Sequence, residues 1–239
     1  MLYSSPILGA TSTMERRLSL NQIAVPDDFP SDEFDAVSGK LGSTYGERYE
    51  YRVFVMDALN AIAYRFTALA EYDESLRSLI NAPNGQPFRY MQERDLFGFY
   101  SNAHSVFDAF CFALFAVGAL IDSGNFPLAT EADERNVTWS TMLRAYGKAF
   151  PTDPILSELE KIWNDTEELR DIRNILTHRA VGARDLMATT GPSAPSDRIS
   201  RLNISLDAGT TRTHRSQVAG LLLLGLEAAD KFVKAHGPS

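Results

Sequence analysis

Apolar residues first take up a regular rhythm after Glu47. Val55, Leu59, Ile62, Phe66, Leu69, Leu76 and Ile80 recur at steps of three and four, which predicts one long amphipathic helix over Glu47 to Ile80. The string Asn81-Ala-Pro-Asn-Gly-Gln-Pro ends it. A second helix is predicted from about Arg89 or Asp95 to Ile121, and beyond Val106 it is apolar almost all round, as the central element of a bundle would be. Ser123-Gly-Asn-Phe-Pro breaks it, and a polar stretch follows. Thr138 can cap a short helix running to Phe150, where Pro151 stops it.

Asp153-Pro154 places a capping side chain ahead of a proline, opening a helix expected to continue to about Ala180, with Gly182 as the stop. Leu186 to Thr190 and Ile199 to Leu206 are expected to be extended, with TGPSAPSD as the loop between them, making a small hairpin. A final helix from about Thr211 to His236 carries Val218, Leu221, Leu222, Leu224, Leu226, Phe232 and Val233. Residues 1–46 hold prolines and glycines without a sustained period. They are expected to form an irregular acidic arm, with a short helix near Ser31 to Val37. The expected fold is therefore all-α: a helical bundle over residues 47–236 with a small β-hairpin before the last helix.

Composition narrows the setting. The single Cys111 lies inside the apolar run Phe110 to Phe115, so neither an intrachain disulfide nor a cysteine-built zinc site can form. That suits a reducing compartment. The opening MLYSSPILGATSTMERR has no basic segment followed by an apolar core, and so does not read as a secretory signal. Ala109 to Ile121 is free of charge but falls short of the roughly 20 residues that cross a bilayer, so a buried helix and a cytoplasmic location without membrane attachment are expected.

The net charge of −8 predicts no general affinity for a polyanion, yet its distribution is uneven. Arginines 170, 173, 179, 184, 198, 201, 212 and 215 outnumber acids 171, 185, 197 and 207, and no lysine occurs among them. Such a segment is either a solvated face or a surface for phosphate or carboxylate, which the guanidinium fork suits. The acidic stretch Asp27 to Asp35 could cover a basic surface.

On the helix opened by Pro154, a turn of 100° per residue puts Arg173 in register with Ile155 and close to Ile162, Leu169 and Leu176. Glu167, Asp171, Asn174 and His178 gather on another face, with Asn174 and His178 one turn apart. Taken singly, Arg173 could snorkel out or pair with an acid of a neighbouring helix, and His178 could cap a helix end. A second polar set, Asn102, His104 and Asp108, interrupts the buried helix. It either lines a cleft together with the helix of Arg173 and His178 or forms a satisfied pair in the core or at an interface.

The string Glu168-Leu-Arg-Asp-Ile-Arg173-Asn174-Ile-Leu-Thr-His178-Arg179 resembles the signature of the HEPN superfamily, an arginine followed by four to six residues and a histidine near the end of a long bundle helix. The spacing here is four, and Asn174 follows the arginine as in the commoner family form. The resemblance covers roughly residues 47–236. It implies a homodimer that brings two such helices together, and in many members a metal-independent ribonuclease of toxin–antitoxin or antiviral systems, with RNA as substrate, an antitoxin protein as a further partner and no cofactor. By matching positions, Arg173 would hold the scissile phosphate, His178 would exchange protons, and Asn174 would orient ribose or phosphate. Arg170 and Arg179 would add outer contacts. Some family toxins carry a tyrosine, two residues after the histidine, that a partner nucleotidyltransferase modifies. Ala180 stands there in this chain, which argues against that form of control.

The chemistry can be stated independently. RNA cleavage through the 2′-hydroxyl needs a base, an acid and positive charge at the phosphorane, and histidine serves either proton role near neutral pH. One chain supplies one suitable histidine, so two protomers complete the site. No GxSxG, HExxH, GxxxxGK[ST] or GxGxxG string occurs, and no spacing singles out a metal site. The alternatives are a non-catalytic HEPN-like module for nucleotide or RNA binding or for dimerisation, and a helical scaffold. In a scaffold Arg173 should pair with an acid of its own chain.

Overall fold

A computed structural model describes residues 16–19, 22–44, 49–79, 86–178, 197–199, 204–206 and 208–236. A short antiparallel ribbon, β1 (Arg16–Arg17) and β2 (Ala24–Val25), leads into α1 (Ser31–Thr44). Two long helices follow, α2 (Tyr49–Leu79) and α3 (Gln86–Ile121), then the short α4 (Glu131–Arg135) and α5 (Trp139–Ala149). Next come α6 (Ile155–Asp165), α7 (Glu167–His178), the hairpin β3 (Asp197–Ile199) and β4 (Ile204–Leu206), and the closing α8 (Ala208–His236). The described residues thus form an all-α bundle carrying small two-stranded ribbons.

The bundle rests on the α2–α3 pair, which packs antiparallel: Gln92 donates to the Leu79 carbonyl, Ser75 donates to Asp95, and Arg65 donates to the Ser105 carbonyl. By length and composition both helices could cross a bilayer, yet 72% of the most apolar stretch of α3 is covered by its own fold. That helix is the core. Tyr100 meets His214, and Phe110 lies over Gly225, so α8 runs parallel to α3, while α6 runs back along α8 between Gln217–Asp165 and His236–Asp153.

Three expectations are corrected. The segment over 1–46 is not an irregular arm in its described part, although the short helix expected near Ser31 to Val37 is there and runs further. Leu18, Val25, Phe29, Phe34, Val37 and Leu41 are buried in the common core, and α1 is a 14-residue helix packed on α8 and α2. Burial of Phe34, Val37 and Leu41 at helical spacing outweighs the poor propensity of Gly39. The expected continuous helix to Ala180 is divided at Thr166, where the backbone leaves helical geometry and the hydroxyl donates to the Trp163 carbonyl at 2.9 Å. The hairpin pairs Ile199 with Ile204 and Asp197 with Leu206, so β3 begins on the last residue of the expected loop and β4 lies C-terminal to it. A short closure costs less entropy than joining strands across that loop. Leu186 to Thr190 lie outside the described residues.

The capping reading holds at α5, while α6 starts at Ile155 with Pro154 in the cap position and no side-chain cap from that residue. Thr138 and Thr141 form a capping box at α5, and Asp153 accepts the Ile155 N–H at 2.8 Å. A second box, Thr130 with Asp133, opens α4 where only a polar stretch was expected.

Candidate functional site

Helix α7 is held from three sides. Leu169 and Ile172 are buried in the core, Thr166 fixes the turn from α6, and α7 lies along α3. Near its start Tyr100 of α3 donates to, or accepts from, Nδ1 of His214 on α8 at 2.8 Å, and His214 Nε2 faces Glu168 at 3.8 Å. The imidazole is almost wholly buried. Desolvation holds its pKa below the ordinary value, with Glu168 opposing, and burial pushes the Tyr100 phenol up. A neutral imidazole between a phenol and a carboxylate ties three helices together. This buried group was not singled out in the sequence. Its signal is that His214 shares the apolar register of Val218 and Leu221.

On α7 itself Arg170 lies with its guanidinium carbon 3.4 Å from the centroid of the Trp163 ring, and Trp163 stacks on Trp139 at 5.4 Å. One terminal nitrogen of Arg170 is buried without a hydrogen-bond partner, and desolvation lowers the pKa of the group against the pull of Glu167 and Asp171. Arg173 is half-buried, and its Nη1 donates to Oδ1 of the exposed Asn174 at 3.0 Å. Among the described residues no carboxylate lies within ion-pair distance of Arg173. The intrachain acid partner that a plain scaffold calls for is therefore missing there. Thr177 donates to the Arg173 carbonyl at 2.7 Å, and α7 is described as far as His178. The His178 side chain and the whole of Arg179 lie outside the described residues.

The second polar set stays on α3. Asn102 donates to the Gly98 carbonyl at 2.8 Å, one turn back. His104 Nδ1 lies 2.9 Å from Asp108 Oδ2 but off the hydrogen-bonding direction, since that nitrogen is buried without a hydrogen-bond partner. No hydrogen bond, ion pair or ring contact among the described residues joins Asn102, His104 or Asp108 to Arg173 or Asn174. Sharing the rod-like helix α3 fixes their spacing along it.

The arginine-rich segment is not uniformly free. Arg215 of α8 forks onto Asp28 at 2.6 and 2.8 Å and reaches Asp73 of α2 at 3.4 Å. The acidic stretch does cover a cation there. Arg212 is exposed, and Arg184, Arg198 and Arg201 have no described side chains. Among the described residues no three His, Cys, Asp or Glu side chains converge as metal ligands would. Compared with protein-family models, curated proteins and solved structures, the chain matches none.

Proposed function

We propose that the chain is a metal-independent endoribonuclease of HEPN type, acting as a homodimer in a toxin–antitoxin or antiviral setting. The observation that carries this is Arg173, a half-buried residue with no carboxylate partner among the described residues, joined to Asn174 on the helix that also carries His178. An arginine left without an acid is available to a phosphate, and its hydrogen bond to Asn174 orients the fork. In the reaction a base takes the 2′-hydroxyl proton, the oxygen attacks phosphorus, and the P–O5′ bond breaks as an acid protonates the leaving oxygen. The products are a 2′,3′-cyclic phosphate and a 5′-hydroxyl. His178 of each protomer fills one proton role, and the two Arg173 side chains offset the charge of the phosphorane.

A non-catalytic reading has its own support. The Arg170 cation on Trp163 offers an anion contact that needs no proton transfer. The test is cleavage of a labelled RNA mixture in EDTA by wild type, Arg173→Ala and His178→Ala, each checked for helicity and dimer mass. Cutting by wild type alone, leaving cyclic phosphate ends, is the expected result. Equal inertness of all three with retained RNA binding would favour the binding module.

A further inference from the structure

A cleft of about 380 Å³ opens between the C-terminal end of α3, the turn that follows it, α4 and α5. That size falls within the range of small-ligand pockets, about 300–1,000 Å³. Its apolar side is made by Phe115, Pro127 and Ala145, and its polar side by Asn136, Arg144 and Lys148. Arg144 and Lys148 stand one turn apart on α5, both exposed, and among the described residues neither finds a carboxylate within ion-pair distance. Asp122, behind the wall, feels the charge of Lys148 but accepts from the Gly124 amide and the Asn125 side chain, and Asp133, the acid on the wall itself, is committed elsewhere. Its Oδ2 accepts from the Ala129 and Thr130 amides and the Thr130 hydroxyl, which holds its pKa down. The Asn136 side-chain amide has no partner among the described residues, while its carbonyl accepts from Thr141.

The walls are built before any ligand arrives. Phe126, fully buried, packs on Phe115 and Tyr146 and sits so close to α3 that a Cβ on Gly118 would meet its ring at 2.4 Å. The turn is therefore clamped to the core. Capping boxes fix the starts of α4 and α5. A rigid cleft loses little conformational entropy on binding.

We propose that this cleft binds a small organic anion: a carboxylate or phosphate held between Arg144 and Lys148 with help from the Asn136 amide, and an apolar body laid against Phe115 and Pro127. The two cations give the anion its place, and the apolar wall distinguishes such a ligand from an inorganic ion. The site stands independently of the ribonuclease proposal, because it uses no residue of α7.

The test uses the full chain and the fluorescent probe 8-anilinonaphthalene-1-sulfonate, displaced in turn by phenyl phosphate, benzoate and inorganic phosphate. Amide chemical shifts locate the bound probe. Expected is probe binding that shifts amides around Phe115, Asn136 and Arg144. Phenyl phosphate or benzoate should compete at least tenfold better than inorganic phosphate, and the stronger of the two tells a phosphate ester from a carboxylate. Arg144→Gln with Lys148→Gln, both exposed positions, should weaken the probe at least tenfold without changing the circular dichroism, and Arg144→Lys should keep most of the affinity. The proposal is overturned if the probe does not bind, if the double variant binds it equally well, if the shifted amides lie elsewhere, or if inorganic phosphate competes as well as the organic anions.

Discussion

Replacing Arg215 by alanine should destabilise the chain by about 3 kcal/mol. The guanidinium has two partners of different worth. Its fork onto Asp28 is bidentate at 2.6 and 2.8 Å, but that carboxylate is 37% exposed, so the pair is worth about 1 kcal/mol, the upper end for surface ion pairs. Asp73 is nearly sealed. Its Oδ1 has no hydrogen-bond partner, and its Oδ2 is shared between Arg77 at 3.2 Å and Arg215 at 3.4 Å. Breaking a lone buried pair costs about 3–5 kcal/mol. Because Arg77 remains, the loss here is nearer that of one charged hydrogen bond, about 1.5–3 kcal/mol. Together the two contributions correspond to a fall in Tm of about 6–12 °C for a chain of this size. The assay is urea unfolding of Arg215→Ala, Asp28→Ala and the double variant. Asp28→Ala alone should cost about 1 kcal/mol, and the double variant should cost less than the sum of the singles, because both remove the same fork. A loss below about 1 kcal/mol for Arg215→Ala, or strict additivity, would refute the idea that this arginine binds the N-terminal segment to α2 and α8.

Two further outcomes follow from buried groups. Burial keeps the pKa of His214 below 6.5, so the unfolded chain takes up the proton more readily, and stability should fall as pH drops from about 6.5 through the folded-state value. His214→Gln should flatten that part of the stability curve between about pH 7 and pH 5, and an unchanged slope in urea titrations would count against it. Gly118→Ala should cost about 1–3 kcal/mol, because the new methyl meets a Phe126 ring with nowhere to go. Gly39→Ala, in an exposed helical position with no atom within 4 Å, should instead stabilise by about 0.5–1 kcal/mol. Equal effects from the two alanines in thermal melts would contradict the packing described.

The long elements were legible because each carries enough turns for its apolar period to stand out. α2, α3, α5 and α8 begin and end within a few residues of the positions that spacing and capping predict. Shorter or interrupted signals were not. β1 and β2 hold two residues each, too few for a period; the start of α1 near Ser31 was legible, but its continuation past Val37 was not, because two glycines lower its propensity while its core contacts decide the matter. The division at Thr166 depends on one hydroxyl bonding to one carbonyl, a choice that a helical wheel cannot express. At the candidate site the arginine, asparagine and histidine string was visible, as was the prospect that acids near Asp28 cover a cation. What escaped was tertiary: that Tyr100, Glu168 and His214, distant in sequence, meet beneath α7, and that Arg170 is seated on Trp163.

That last arrangement has an optical consequence. The chain has two tryptophans, and both belong to one stack, Trp139 from α5 and Trp163 from α6, with Arg170 of α7 on the second ring. Two indoles at 5.4 Å and 24° couple electronically, so the tryptophan emission, and the tryptophan part of the near-ultraviolet dichroism, originate at a single spot. The molecule carries its own unlabelled reporter at the junction of the anion cleft's helix and the helix of Arg173. If the proposed cleft beside α5 or the Arg173 site takes a ligand, a change in that emission is the expected unlabelled signal.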